Sequence, residues 1–336
     1  MTPHGVASGA VAGVRLGVVA IGRNEGDRLR TCLASVVEQA GVTVYVDSGS
    51  TDGSVELARG LGAVVVDLDM QLPFTAARAR NAGVQRLATI APDVQFVQFV
   101  DGDCEVRAGW LSQACAFLES HADVAAVCGR CRERFPERSV YNLLCDLEWD
   151  TAVGETRACG GNVLMRSEAF RQAGGYREDL IAGEEPELCI RLRAAGWRVW
   201  RIDAEMALHD AAMTRFAQWW KRSNRAGFAF AEGAHLHGAP PERHWVRESR
   251  SAWLWGAGLP LAIAAAALLW SPWAWLASVV YPVQVLRLFL RASGTAGTRA
   301  WRAVFLVLGK FAEAYGQATY LARRWSGGPT KLIEYK

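Results

Sequence analysis

Apolar residues in the first third of the chain fall in short runs, each followed by a stretch of helical period. Residues 16–21 (LGVVAI) read as a buried strand, and residues 27–39 set Leu29, Leu33, Val36 and Val37 on one helical face. Residues 43–46 are a second strand. A helix carrying Val55, Leu57, Ala58 and Leu61 follows, and residues 63–66 make a third strand. Residues 78–88 read as a helix, and the apolar run 94–100 is a strand that stops on Asp101-Gly102-Asp103. Strands alternating with helices predict a mostly parallel, Rossmann-like α/β sheet with right-handed crossovers.

Beyond residue 139 the pattern is mixed. It holds Gly160-Gly161-Asn162, a short strand over 163–165, a helix over 186–195 stopped by Gly196, and a strand over 197–202. Residues 216–232 read as an aromatic-rich helix, and Pro240-Pro241 opens a linker. No charged residue occurs from Ser251 to Leu286. Two apolar segments, 253–270 and 273–290, meet at Ser271-Pro272; each is roughly 27 Å long as a helix, close to the thickness of a bilayer core. Tryptophans at the segment ends resemble an interfacial belt. Arginines on both flanks (Arg243, Arg247, Arg250, Arg287, Arg291) place both flanks on the cytoplasmic face of the cell (inner) membrane. A pair of buried helices and a re-entrant hairpin are the other readings of this region. Residues 301–320, apolar with Lys310 and Glu313 set among them, suit an amphipathic helix lying in the membrane interface. The expected organisation is thus a short N-terminal stretch (1–13), an α/β domain (14–237), a linker (238–250) and a membrane-associated helical region (251–336).

Composition narrows the function classes. A formal net charge of +3 over 336 residues, with no basic run interleaved with aromatics in the first half, argues against a nucleic-acid partner. Eight scattered cysteines in a chain with ample core read as reduced thiols, and Cys128-x-x-Cys131 lacks the second pair that a zinc site needs. Residues 1–13 have no basic segment leading into an apolar core, so no signal peptide is expected there.

The candidate chemistry lies at the carboxyl ends of the strands, where open α/β sheets bind ligands. Asp101 and Asp103 bring two hard oxygen donors suited to Mg²⁺ or Mn²⁺ carrying a diphosphate. Asp47 and Asp52 flank small hydroxyl residues after the second strand. They suit a uracil-type N–H and ribose hydroxyls, or else a turn in which Asp52 caps the next helix. Asn24-Glu25 faces the same crevice, and Arg80 can reach a phosphate from its helix.

These segments resemble the ordered motifs of family-2 glycosyltransferases: residues 20–25 (AIGRNE), 46–54 (VDSGSTDGS), 79–83 (ARNAG), 100–103 (VDGD), 160–166 (GGNVLMR) running on to 174–176, and 183–188 (GEEPEL) with Arg191 and Gly196. The resemblance spans about residues 15–231. It implies a GT-A fold, a nucleotide-sugar donor (UDP- or GDP-linked), a divalent metal (Mn²⁺ or Mg²⁺) and inversion at the anomeric carbon. By the same resemblance Glu185 is the catalytic base, standing where the family commonly has Asp, and Glu184 is the fallback. Glu25, Asp47, Asp52, Arg80 and Asp101 serve the nucleotide-sugar. Gly161, Asn162 and Glu184 line the donor and acceptor pocket, and Asp103 with His209 holds the metal. The apolar tail points to a saccharide or lipid-linked acceptor, as in envelope or exopolysaccharide synthesis. A polyprenyl-phosphate sugar synthase, a nucleotidyltransferase and a catalytically silent membrane scaffold are the rival readings; the second lacks its basic, glycine-rich triphosphate loop.

Overall fold

The structure is a computed structural model and describes residues 15–327. The N-terminal stretch singled out in the sequence lies outside the described residues. The chain divides into two compact units, residues 1–135 with 145–211, and residues 136–144 with 212–336.

In the first unit the elements run β1 (Leu16–Gly22), α1 (Asp27–Ala34), β2 (Val42–Asp47), α2 (Ser54–Gly60), β3 (Val64–Asp67), α3 (Ala76–Ile90), β4 (Phe96–Asp101), β5 (Cys104–Val106), α4 (Trp110–Ser120) and β6 (Val124–Glu133). They continue through α5 (Val140–Glu148), whose first half belongs to the other unit, then β7 (Gly154–Glu155), β8 (Val163–Arg166), α6 (Ser167–Gln172), α7 (Glu184–Ala194) and β9 (Arg198–His209). The sheet order is β3-β2-β1-β4-β8-β6-β9-β5, with β7 paired to β9. The half containing β3, β2, β1 and β4 is parallel, as the alternating pattern predicts. The other half is mixed. β8 runs antiparallel to both β4 and β6, β9 is parallel to β6, and β5 is antiparallel to β9.

Both faces of β1, β2 and β4 are covered, which is why these strands are mostly apolar. Leu16, Val18 and Ala20 of β1 enter one core with α1 and α4, while Val19 and Ile21 enter the other with α3 and α6. β4 divides likewise, Phe96 and Val100 to one side and Val97 and Phe99 to the other. The polar member of that strand, fully buried Gln98, accepts from Trp110 Nε1 at 2.8 Å and donates to Phe99 O, so its burial leaves its amide hydrogen-bonded.

Two expectations needed adjustment. The first helix stops at Ala34 and continues as turns to residue 39, yet Leu29, Leu33 and Val36 still bury. The strand expected over 197–202 is much longer. As β9 it reaches His209, because β6 and β5 pair along its length.

The second unit is helical: α8 (Phe216–His237), α9 (Val246–Trp253), α10 (Leu259–Leu269), α11 (Val280–Arg291) and α12 (Ala296–Ser326). A π-turn at Leu254–Gly258 joins α9 to α10, and a 3₁₀ segment at Pro272–Val279 leads into α11. The resulting stretches Val246–Leu269 and Pro272–Arg291 are long and apolar enough to cross a membrane. They bury little within the protein; Leu268, Trp270 and Trp273 are 83%, 85% and 77% exposed. α12 packs one face on α8. Trp219 meets Phe305 and Phe228 meets Tyr320 edge to face at 4.7 and 5.2 Å. Gly316 and Gly227 allow that crossing, since a Cβ at either would strike backbone of the facing helix.

Candidate active site

The site is assembled at the carboxyl ends of β2, β1 and β4, where the parallel strands stop and the chain turns outward. After β1, Asn24 takes positive φ and bonds across to the β2 loop: its N–H donates to Ser50 Oγ at 2.9 Å and its Oδ1 accepts from Thr51 N at 2.7 Å. Asp47 is buried and accepts from Tyr45 Oη, Gly49 N and Ser50 N. Asp52 accepts from Gly26 N and from Ser54 N and Oγ. The Ser54 hydroxyl, foremost, holds its carboxyl below the usual range. A carboxylate offers about four lone-pair positions, so each aspartate shapes its loop and keeps about one for a ligand. The N-cap of α2 is Gly53 rather than Asp52, whose carboxylate instead closes the turn onto Ser54. Glu25 pairs with Arg28 at 2.8 Å and lies over Gly102, where a Cβ would sit 3.3 Å from its Cγ.

At the end of β4 the acids part company. Asp101 accepts from Arg80 Nη2 at 2.8 Å, while Arg80 Nη1 donates to Glu184 Oε1 at 2.6 Å. Arg80 is only 3% exposed. Burial alone would lower its pKa, but Asp101 and Glu184 outweigh that and raise it, so it stays charged. Asn162 Oδ1 accepts from Asp101 N at 3.0 Å. A Cβ at Gly161 would strike Arg80 Nη2, 2.5 Å away, and press on Asp101 Oδ2 at 3.2 Å. Arg80, Asp101, Gly161, Asn162 and Glu184 thus form one contiguous group, with the arginine at its centre rather than reaching outward.

Asp103 points the other way. It is buried, and its Oδ2 lies 3.4 Å from His209 Nε2. The pairing of β5 with β9, which sets Cys104 opposite His209, creates this proximity. Donor atoms of Asp103, Cys104 and His209 fall within 4.8 Å of one another. Two donors 3.4 Å apart suit one cation bound at about 2.1 Å from each. The Cys104 thiol is pushed well up, by burial first and then by Cys131 and Asp101. An oxygen and an imidazole nitrogen fit a hard or borderline divalent ion.

Two neighbours of His209 carry no signal in the sequence pattern. Trp149 packs edge to face on its ring at 4.7 Å. Glu133, its carboxylate accepting from Phe135 N and Ala211 N, places Oε2 3.8 Å from His209 Nδ1. Neither lies in a recognisable motif; their relevance comes from long-range strand and helix packing.

Glu184, Glu185 and Glu187 form the first turn of α7, where the helix dipole favours negative charge. Glu187 is tied to Arg191, which braces the carbonyls of Ala173 and Gly175. Glu185 is 3% exposed and accepts from Cys159 N at 2.7 Å and from the Cys189 thiol at 2.9 Å. Burial raises its pKa to about 7, against the lowering effect of those two bonds. It is adjacent to the Arg80–Glu184 pair and bonded to the segment leading into Gly161.

Residues 18–172 match the family model described as Glycosyl transferase family 2. This part of the chain belongs to glycosyl transferase family 2. Among curated proteins, succinoglycan biosynthesis protein ExoA of Rhizobium meliloti (strain 1021) is 30% identical over 173 residues, covering 48% of this chain and 51% of that protein. The pre-mycofactocin glycosyltransferase of Mycobacterium tuberculosis (strain CDC 1551 / Oshkosh) is 28% identical over 174 residues, 48% of this chain and 35% of that protein. The chain therefore spans about half or less of these relatives. Among solved structures, the mannosyltransferase PcManGT from Pyrobaculum calidifontis, in complex with GDP-Man and Mn²⁺, superposes with a TM-score of 0.61 at 20% identity, over 90% of this chain and 87% of that one. Glucosyl-3-phosphoglycerate synthase from Mycobacterium tuberculosis aligns with a TM-score of 0.50 at 18% identity, over 69% and 82%. At these identities the likeness establishes the fold, which is GT-A.

The raised Glu185 pKa has a consequence for stability. A carboxyl whose pKa is about 7 folded and near 4.5 unfolded binds more protons in the native state between those values, so stability falls as pH rises through that window. Glu185→Gln removes the effect. The difference in stability between variant and wild type, followed by urea unfolding from pH 5 to pH 8, should move in favour of the variant by up to about 3 kcal/mol. A difference that stays flat with pH contradicts the raised pKa.

Proposed function

We propose that the chain is an inverting, metal-dependent glycosyltransferase that moves a sugar from a UDP- or GDP-linked donor to a hydroxyl acceptor. The convergence of Asp101, Glu184 and Glu185 around buried Arg80, beside the Asp103–His209 pair, carries this reading. Both solved relatives described above belong to proteins named for sugar transfer or sugar-phosphoglycerate synthesis, and the first contains GDP-Man and Mn²⁺. Asp103 and His209 are the residues that would hold Mn²⁺ or Mg²⁺. When bound, the ion supplies Lewis-acid stabilisation of charge on the departing nucleoside diphosphate.

The remaining roles belong to the chain's own side chains. Glu185 takes the proton of the acceptor hydroxyl; a carboxylate with a pKa of about 7 is poised to act as a base near neutral pH. Arg80 holds Asp101 and Glu184 in place, one on each arm of its guanidinium, and shares its single positive charge between them. Asp101 faces the ribose side, and Gly161 with Asn162 keeps the wall beside it thin enough for the donor. Asn24, Glu25, Asp47 and Asp52 build the two loops that receive the base and ribose.

The second unit supports a membrane setting. Two long apolar stretches with side chains as exposed as Leu268 and Trp270 present more apolar surface than water-facing helices ordinarily carry. Residues 251–336 are read as a membrane-associated region on the cytoplasmic face of the cell membrane. The acceptor is read as a lipid-linked saccharide of envelope or exopolysaccharide synthesis, in keeping with the printed name of the succinoglycan relative.

Three outcomes follow for the purified full chain. Mn²⁺ should raise the thermal midpoint with UDP or GDP present, and Asp103→Asn should remove that increment; retention of the full manganese response contradicts the ligand assignment. Glu185→Gln should lower kcat by about 10²- to 10⁴-fold with donor binding intact, and the wild-type rate should rise with pH through about 7. A smaller loss than that of Glu184→Gln would move the base to Glu184. In vesicle flotation the wild type should rise with lipid, and Leu268→Glu with Trp270→Glu should shift it to the unbound fraction. Equal flotation of both proteins would sink the membrane assignment of this hairpin.

A further inference from the structure

A second set of buried charges lies in the first unit, sharing no residue with the group around Arg80. Arg130 on β6 and Arg201 on β9 are 6% and 5% exposed. Their strands are paired, with Arg201 opposite Cys128 in the ladder. Both guanidinium groups converge on a single atom, Asp150 Oδ1, at 3.4 Å from Arg130 Nε and 3.6 Å from Arg201 Nη2. Those separations are ionic contacts but too long for well-formed hydrogen bonds. The Nε atoms of both arginines are buried and donate no hydrogen bond among the described residues.

The two carboxylates near them are not equivalent. Asp146 is committed: it accepts from Arg130 Nη2 at 3.1 Å and from Glu133 N at 3.0 Å. Asp150 is 62% exposed on the bend that follows α5, so it neutralises two buried cations from the solvent side. Arg201 has only that long contact to an exposed carboxylate among the described residues, while Arg130, whose Nη atoms donate to Cys131 O, Asp146 O and Asp146 Oδ2, keeps its Nε unused. The unused donors are therefore mainly those of Arg201, and guanidinium groups match phosphate oxygens in a planar, two-point geometry. A phosphate has enough oxygens to bond both groups at once, where Asp150 offers both one distant atom.

The position bears on transfer. Trp149, next in the chain to Asp150, has its ring 4.7 Å from that of His209. Asp146 holds the backbone of Glu133, whose carboxylate lies 3.8 Å from the same imidazole. An anion at the arginines is thereby anchored one residue from the aromatic that flanks the candidate metal pair.

We propose that Arg130 and Arg201 form a subsite for a phosphate or diphosphate group of the acceptor, and that this group displaces Asp150 from them. The inference rests on the glycosyl-transfer reading for the identity of the ligand, though not for its chemistry. It places the acceptor among phosphorylated molecules, either a prenyl-diphosphate lipid or a soluble phosphate ester.

Inorganic pyrophosphate titrated calorimetrically into the full chain in detergent with EDTA tests it. Wild type should bind, Asp150→Ala should tighten binding severalfold by removing the competing carboxylate, and Arg201→Met should weaken it on the order of tenfold. Arg201→Lys, which keeps the charge but not the fork, should fall between. Unchanged affinity in Arg201→Met, or no gain in Asp150→Ala, overturns the proposal. Should Arg201→Met not fold, the Asp150→Ala and Arg201→Lys results decide alone. Geranyl diphosphate binding more tightly than pyrophosphate, with the same dependence on Arg201, assigns the lipid source, and equal affinities assign the soluble one. A manganese-dependent nucleotide response measured on the same samples separates the two readings. If it persists while pyrophosphate ignores Arg201, only the subsite fails.

Discussion

The arrangement of this site depends on one buried cation. Arg80 is almost wholly removed from solvent, and the protein meets the cost of burying it by setting a carboxylate at each end of the guanidinium fork. One comes from the end of β4 and the other from the start of α7, elements distant in sequence. Removing either carboxylate would leave the guanidinium one counter-charge and one unmet arm, whereas removing the arginine would leave Asp101 and Glu184 without the cation they share. The arginine therefore fixes the spacing between the strand that ends in two acids and the helix that begins with three. Gly161 belongs to the same constraint, because a Cβ there would push Arg80 Nη2 out of its place between the carboxylates.

Around that fixed point, residues of one chemical type acquire different characters from their surroundings. Asp47 and Asp52 are consumed in organising loops by backbone and hydroxyl donors. Asp101 is neutralised by Arg80, while Asp103, two residues on, faces an imidazole. Glu184 shares the arginine, but Glu185 meets only a backbone N–H and a thiol, and desolvation lifts its pKa to about 7. Such a difference in surroundings between adjacent carboxyls lets one of them bind a cation while the other is desolvated. Family membership and the GT-A fold are consistent with that division, and the curated relatives, which this chain matches over about half its length, leave the acceptor to be decided by experiment.

The helical unit obeys a different rule. α12 and α8 approach through glycines and interlock aromatics on either side of the contact, while the stretches Val246–Leu269 and Pro272–Arg291 leave large apolar side chains outward. Residues 301–320 had suggested a helix at a membrane interface. Their helix gives one face to α8 and α9, bonding fully buried Gln317 to Ser249 of α9, and keeps Trp301, Leu306 and Tyr315 exposed. A polar residue on an apolar helix was thus a packing contact that periodicity could not assign.

Much of the first unit was legible because strands buried on both faces are mostly apolar, and β1, β2 and β4 announce themselves that way. The acids at their ends were legible too, since a strand that stops abruptly on carboxylates is a local pattern. β6, the far end of β9 and the loop bearing Trp149 were not, because their residues pair and pack with partners far along the chain. The sequence by itself determined which side chains were available and the parallel half of the sheet that carries them. Tertiary structure alone decided that Arg80 would turn inward to join two carboxylates, that His209 would meet Asp103 across an antiparallel pair, and that Arg130 and Arg201 would share Asp150. Ionic pairing of this kind is set by distances between elements, and no local pattern of residues encodes those distances.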